Sequence, residues 1–170
     1  MLDEKLVELL NDQVNKEFYS AYLYLSMANY YNEEGLSGFG NWFTIQAQEE
    51  RDHAMLFLEY LQNNGAHVEL KTEEAPKKQF KEFKDPLNES LKHERYVTAS
   101  IHNIYAAASN VKDFRTMQFL DWFVKEQGEE EKTAEDLIKK LELFGQDGKG
   151  LYMLDSELAS RTYSAPTLTL

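Results

Sequence analysis

Four stretches of this chain repeat apolar side chains every three or four residues, and a polar side chain interrupts each repeat near its middle. Positions three and four apart share one face of a helix, so each interrupting group faces the same way as its apolar neighbours. The interrupting residues are Glu17 in the first stretch, Glu50 and His53 in the second, Glu94 in the third, and Gln127 and Glu130 in the fourth. A carboxylate alone in an apolar core costs several kcal/mol. Four such helices therefore indicate carboxylates that meet around a shared cation.

The composition fits one helical domain whose metal ligands are oxygen and imidazole. With 170 residues, 42% of them hydrophobic, the chain can bury a substantial core in a single domain. It has only 3 prolines and 8 glycines, which favours long uninterrupted helices. It has no cysteine, which excludes disulfides, thiolate metal sites and iron–sulfur clusters.

The charge and the termini narrow the expected partners and location. A formal net charge of -12 argues against nucleic acid or an anionic membrane as a partner, although a solvated acidic surface explains that charge as well as metal attraction does. The amino terminus lacks the pattern of a signal peptide, and no apolar stretch approaches the ~20 residues that span a bilayer. We therefore expect a soluble, cytoplasmic protein.

Turn signals divide the chain into five predicted helices. They are expected over residues 3–34, 38–64, 86–110, 114–144 and 151–160. The connection over residues 66–86 is too long for a tight turn, and at ~3.3 Å per residue it could follow a helix of about 40 Å. The expected fold is therefore an all-α four-helix bundle with one long crossover and a short fifth helix. Residues 1–160 should form the single domain, and 161–170 a loose tail.

Each polar residue also has an ordinary structural interpretation when it is taken alone. Glu17 could be a partly exposed seam residue, and pairs such as Glu50 and His53 are common on exposed helix faces. Their coincidence at the middle of four seams favours the metal site, because unpaired buried carboxylates are costly. A pair three residues apart can hold one metal or bridge two. Carboxylates with one imidazole suit iron or manganese, and zinc can bind in their place.

Further acidic residues flank these positions. Glu126, Glu129 and Glu131 belong to a dense acidic run whose simplest interpretation is a solvated helix face, and we prefer that interpretation for Glu131. Glu49 precedes Glu50 and points about 100° around the helix. It could therefore join Glu126 and Glu129 on one side of the bundle.

Three aromatic residues lie near the candidate ligands. Tyr24 follows Glu17 by seven residues on the same face, so it is either a core tyrosine or an electron donor beside an oxidising metal pair. Trp122 has the same two interpretations, and the core is preferred. His93 should point to another face than Glu94, towards the surface.

The segments around these residues resemble the ferritins, and most closely the non-haem bacterial ferritins. The matching segments are residues 15–20, 47–53, 92–94, 126–132 and 150–152. Ferritin-like di-iron bundles combine a Glu from each of two helices with a Glu-x-x-His pair from each of the other two, which is the pattern approached here. The resemblance covers about residues 1–160.

This resemblance implies a 24-subunit shell that oxidises Fe(II) with O2 or H2O2 and stores the product as a ferric mineral. The fifth helix would line the four-fold axes, and Tyr24 matches the tyrosine beside the iron pair. The implied ligands are Glu17, Glu50 and His53 for one iron, Glu50, Glu94 and Glu130 for the second with Gln127 close by, and Glu49, Glu126, Glu129 and Glu130 for an additional iron.

Three departures from related proteins modify this expectation. Haem-containing bacterioferritins have a haem-ligating methionine where Asp52 stands, so no haem is expected. The fourth helix has Gln127 and Glu130 where a second Glu-x-x-His pair would stand, and the neutral amide should weaken the second half of the site and help the product leave. Met117 and Leu120 occupy the positions where animal ferritins place channel carboxylates, so a polar three-fold channel for iron entry is not indicated.

Three other functions remain open at this stage. A ferritin-like di-iron oxidase or peroxidase would retain its iron as a cofactor. A helical interaction protein would not depend on iron. The DNA-protecting mini-ferritins place their site between subunits and lack the fifth helix that this chain is expected to have.

Overall fold

The computed structural model describes residues 2–76 and 79–170, and five α-helices are the regular secondary structure within these ranges. Their bounds are α1 Glu4–Glu33, α2 Ser37–Asn63, α3 Lys84–Asn110, α4 Phe114–Phe144 and α5 Gly148–Leu158. The predicted helices are confirmed with small shifts at their ends. The largest shift is at the start of α5, which lies at Gly148 and not at residue 151. The helix begins there because the Asp147 side chain caps it, accepting a hydrogen bond from the backbone N–H of Gly150 at 2.8 Å.

The helices form two antiparallel hairpins, α1 with α2 and α3 with α4, and α5 packs on α2 and α4. Ser20 contacts His93 while Lys16 contacts Ser100, so α1 and α3 also run antiparallel. It follows that α2 and α3 are parallel. The chain that joins two parallel helices must travel the length of a helix, and the long crossover predicted from the sequence is confirmed.

Two asparagines of α1 hold the start of the crossover against the bundle. Asn11 donates to the backbone carbonyl of His67 at 2.9 Å and accepts from the N–H of Glu69 at 2.7 Å. Asn15 accepts from the N–H of Lys71 at 2.7 Å in the same manner. These side chains satisfy backbone groups that no neighbouring strand would otherwise pair. Residues 77 and 78 of the predicted crossover lie outside the described residues.

The interior consists of two apolar clusters separated by a polar layer. One cluster is built around Tyr31, Phe39 and Phe43, and the other around Phe57 and Phe123. The buried polar side chains between them are Gln13, Glu17, Ser20, Gln46, Glu50, His53, Ser90, His93, Glu94 and Gln127. No helix in the described part of the chain is long and apolar enough to cross a membrane.

The carboxyl-terminal residues do not form the loose tail expected from the sequence. Tyr163 donates to Asp52 of α2 at 2.5 Å, and Thr167 accepts from the indole N–H of Trp122 at 3.1 Å. Leu168 packs against the apolar cluster around Phe57. Residues 161–168 thus run along α2 and α4, and we call this segment the C-terminal strap. The expectation of a loose tail was wrong because these contacts lie far apart in sequence and leave no local periodicity.

Candidate metal centre

All four long helices bring a predicted ligand to the polar layer. Glu17, Glu50, His53, Glu94 and Gln127 are each no more than 2% exposed. Glu130 is partly buried beside them. The spacing of three or four residues puts these groups on the inner helix faces, and the antiparallel packing brings the middle of each helix to one level.

The buried side chains form two overlapping sets of possible metal ligands. Glu17, Glu50 and His53 each offer a ligand atom within 4.8 Å of the others. Glu50, Glu94 and Glu130 satisfy the same condition. Glu50 belongs to both sets, so its carboxylate lies where it can bridge two cations.

Three buried atoms of this layer have no hydrogen-bond partner among the described residues. They are Glu17 Oε2, His53 Nδ1 and Glu130 Oε2. Buried polar atoms are almost always paired, so three neighbouring exceptions need a cause. Each atom belongs to one of the ligand sets, and oxygen and imidazole donors suit iron and manganese. The residues present therefore fit a pair of such cations.

Two glutamines orient the carboxylates. Gln13 donates to Glu17 at 2.7 Å, while the amide of Gln46 donates to both Glu50 and Glu130, at 2.8 Å and 2.9 Å. Neither role was predicted from the sequence. Both could have been predicted, because each glutamine precedes a candidate ligand by four residues and shares its helix face.

Glu94 is held from two sides. The Tyr24 hydroxyl donates to Glu94 Oε1, and the Gln127 amide donates to Glu94 Oε2 at 3.1 Å. The Tyr24 oxygen also lies 3.2 Å from the hydroxyl of Ser90. Tyr24 is fully buried, so its hydroxyl is satisfied within the polar layer and its ring packs in the core.

Burial and mutual repulsion leave the carboxyls partly protonated without a cation. Burial, and then the charge of Glu50, raise the pKa of Glu17 to about 8 and that of Glu94 to about 7. The same two causes hold the pKa of Glu130 well above its usual range. Burial alone would lower the pKa of His53, but the adjacent Glu50 carboxylate raises it to about 9. A cation that binds here would displace these protons.

The four residues implied for an additional iron all line one cavity of about 130 Å³, although only Glu126 and Glu130 of them belong to a group of close ligand atoms among the described residues. Glu126 is partly buried and groups with His53 and Glu130. Glu129 is exposed and pairs with Lys125 at 3.4 Å. Glu49 lies in an ion pair with Arg161 of the C-terminal strap at 2.5 Å.

Two expectations about single residues need correction. His93 is buried, not at the surface, and its Nε2 lies 2.7 Å from the Ser20 hydroxyl, because α1 covers this flank of α3 as well as the apolar seam. Leu120 is fully enclosed in the core of its own chain and so does not line a channel between chains, while Met117 packs against the same cluster.

Trp122 is partly buried and packs against the apolar cluster around Phe57, as preferred from the sequence. Its ring also meets the His53 imidazole edge-on, with 5.5 Å between the ring centroids. The tryptophan therefore closes one side of the first ligand set.

A four-helix bundle with two overlapping carboxylate and imidazole sets at mid-length defines the class of di-metal carboxylate proteins. The sequence matches the ferritin-like domain family over residues 7–144, and the chain belongs to that family.

Named relatives and solved structures agree with this assignment. The chain is 40% identical to the bacterial non-heme ferritin of Staphylococcus aureus strain USA300 over 163 residues, which cover 96% of this chain and 98% of that protein. The ferritin of Staphylococcus epidermidis is equally similar, with 40% identity over 164 residues. Structurally, the chain is similar to an engineered closed form of the Archaeoglobus fulgidus ferritin, with a TM-score of 0.94 and 43% identity, covering 96% of this chain and all of that one.

Proposed function

We propose that this protein stores iron: it oxidises Fe(II) at the buried ligand pair inside each subunit and keeps the product as a ferric mineral within a 24-subunit shell. The observation that supports this most directly is the polar layer, in which three buried atoms of the overlapping ligand sets have no hydrogen-bond partner among the described residues. The names of its ferritin relatives support the same function. The store would work in the cytoplasm, whose reducing conditions keep the supplied iron ferrous.

The reaction needs two electrons, and the two ligand sets offer two places for the substrate. Each Fe(II) would supply one electron, so the pair with two protons reduces O2 to H2O2, or H2O2 to two waters. Hard carboxylate oxygens favour Fe(III) over Fe(II), which drives the oxidation.

The two halves of the site are not equivalent. The half with Glu17 and His53 has a carboxylate and an imidazole of its own, whereas Gln127 turns its amide N–H groups towards Glu94 in the other half. A neutral donor there should weaken the second position and favour departure of the oxidised iron. Tyr24, which donates to Glu94, would hold that carboxylate in position.

The test adds Fe(II) in air to the assembled protein and follows particle size, iron content and the rate of Fe(III) formation. We expect a large shell that retains hundreds of iron atoms. Glu17→Gln and Glu50→Gln should slow the oxidation by at least about ten-fold, the lower range seen when a ligand or its support is lost. Glu59→Gln on an exposed face of α2 is the matched control and should leave the rate unchanged.

The same measurement separates storage from the use of iron as a retained cofactor. A small oligomer that keeps about two irons per chain and turns over an organic or peroxide substrate would contradict the proposal. Equal iron uptake by Glu59→Gln and Glu50→Gln would show that the polar layer is not the oxidation site.

A further inference from the structure

Arg161, the first residue of the C-terminal strap, inserts its guanidinium between α2 and the acidic cluster. It donates to Glu49 Oε2 at 2.5 Å and to Gln46 Oε1 at 3.0 Å. A third hydrogen bond goes to the backbone carbonyl of Trp42 at 3.2 Å, and the guanidinium carbon lies 4.3 Å from the centre of the Trp42 ring. Three hydrogen bonds and the Trp42 ring therefore hold the planar guanidinium, a geometry that suits arginine far better than lysine.

The position of Arg161 is close to the candidate metal centre. A cavity of about 130 Å³ is lined by Arg161 together with Glu49, Glu94, Glu126, Glu129 and Glu130. Gln46 links the two regions directly, because its carbonyl oxygen accepts from Arg161 while its amide donates to Glu130. The buried Glu130 Oε2 in this region has no partner among the described residues.

The rest of the strap keeps Arg161 in place. The segment is held against the bundle by two hydrogen bonds, from Tyr163 to Asp52 and from Trp122 to Thr167. No α-carbons of α2 and α4 approach within 8 Å in the part of the chain that the structure describes, whereas those of α1 and α3 do. The strap therefore lies over the side of the bundle between α2 and α4.

We propose that Arg161 is a tethered cation that takes the place of an additional metal ion at Glu49, in the cavity beside the buried ligand pair. This inference rests on the proposed function only for the identity of the metal. Glu49 is one of the four residues implied for the additional site, and its Oε2 already accepts a hydrogen bond from the Arg161 guanidinium. Glu129 lines the same cavity, but it is exposed and pairs with Lys125. The strap thus sets how many ions the subunit holds on this side of the pair.

The experiment counts Zn²⁺ bound to the assembled, metal-free protein by equilibrium dialysis and calorimetry, because Zn²⁺ is not oxidised. Arg161→Gln should bind one more Zn²⁺ per chain than the parent, and anomalous diffraction should place that ion between Glu49 and Glu126. Adding Glu49→Gln to this variant should abolish the extra ion. The matched control is Lys71→Gln, which removes the same charge from an exposed pair with Asp12 and should leave the count unchanged.

The difference between variant and parent is the readout, so it does not depend on whether the buried pair stores iron. Equal counts for Arg161→Gln and the parent would overturn the proposal, and so would an ion between Glu49 and Glu126 in the parent. An extra ion in Lys71→Gln would also overturn it, because the effect would then be one of overall charge. A parent that binds no pair contradicts the proposed function but leaves the predicted difference intact.

Discussion

The side-chain amide of Gln127 donates a hydrogen bond to Glu94 Oε2 at 3.1 Å and approaches the Glu94 backbone carbonyl at 3.3 Å. The Gln127 amide therefore stabilises a buried carboxylate of the third helix by a hydrogen bond and supplies no charge of its own. A carboxylate at the same position would add a negative charge to a layer that already holds protons to limit repulsion.

Gln127→Glu should make the metal-free protein less stable and should make metal binding tighter. Without a cation, Glu94 loses a donor and faces another carboxyl, which should lower the free energy of unfolding by about 1–3 kcal/mol. With a cation the new oxygen is a better ligand than an amide, so Zn²⁺ should bind more tightly and ferric iron should leave more slowly. Thermal melting with and without Zn²⁺, and the rate of iron release, measure these effects.

The matched control for that substitution is Gln118→Glu, which makes the same chemical change on an exposed face of α4. It should alter neither the melting temperature nor the Zn²⁺ affinity appreciably. If Gln127→Glu behaved like this control, the amide of Gln127 would not govern the second half of the site.

Metal binding should release protons at neutral pH. Near pH 6.5 the metal-free protein keeps protons on Glu17, Glu94 and His53, whose pKa values are raised to about 8, about 7 and about 9. Ligation requires the deprotonated forms, so Zn²⁺ must displace them, and the number released should fall as the pH rises towards 9. Calorimetry in buffers of different ionisation enthalpy measures this number, and Glu17→Gln should reduce it. A binding enthalpy independent of the buffer would contradict the protonation pattern.

The stability of the metal-free protein should decrease as the pH rises. The pKa of Glu17 is 4.5 in its ordinary state and about 8 when folded, and that of His53 is 6.5 and about 9, so the folded protein binds more protons at both groups. Stability is then lost as the pH rises between about 5 and 9. We expect the melting temperature to fall on the order of 5 °C from pH 6 to pH 9.

Glu17→Gln provides the control for that pH dependence, because an amide cannot titrate. The variant should show a shallower fall in melting temperature over the same interval, and saturating Zn²⁺ should remove most of the fall in the parent. A melting temperature that rose with pH in the metal-free parent would show that these groups are not protonated in the folded state.

The polar layer was predictable because it obeys a local rule. Glu17, Glu50 and Glu94 interrupt apolar repeats with helical spacing, and the structure buries all three at one level. Their partners Gln13 and Gln46 obey the same spacing and could have been found by searching four residues upstream. The long crossover was also predictable, since its length fits a connection between parallel helices and not a turn.

Arg161 and His93 could not be placed from local patterns. Arg161 reaches Glu49 across 112 residues of sequence, and nothing near residue 161 repeats with a helical or strand period. His93 lies next to a predicted ligand but on a flank that is buried only because α1 packs there. Both positions depend on how elements pack against each other, which a single sequence does not encode in any one segment.

Two glycines of this chain allow a matched test of how α5 is attached. A Cβ atom added at Gly38 would lie 1.7 Å from the backbone carbonyl oxygen of Asp155, so the start of α2 and α5 must separate to accommodate it. That close approach also allows Phe39 N–H to donate to Asp155 Oδ1 at 2.9 Å. A Cβ added at Gly128 meets no atom within 4 Å. Packing within the chain therefore requires a glycine at the first position but not at the second.

Gly38→Ala should lower the free energy of unfolding by at least about 1–3 kcal/mol, as overpacking does, and should displace α5. Gly128→Ala adds the same methyl group inside α4 and should stabilise the helix by about 1 kcal/mol. Thermal melting gives the sign of each change, and the mass of the assembled particle reports whether a displaced α5 weakens assembly. Equal effects of the two substitutions would show that the contact between Gly38 and Asp155 does not hold α5 on the bundle.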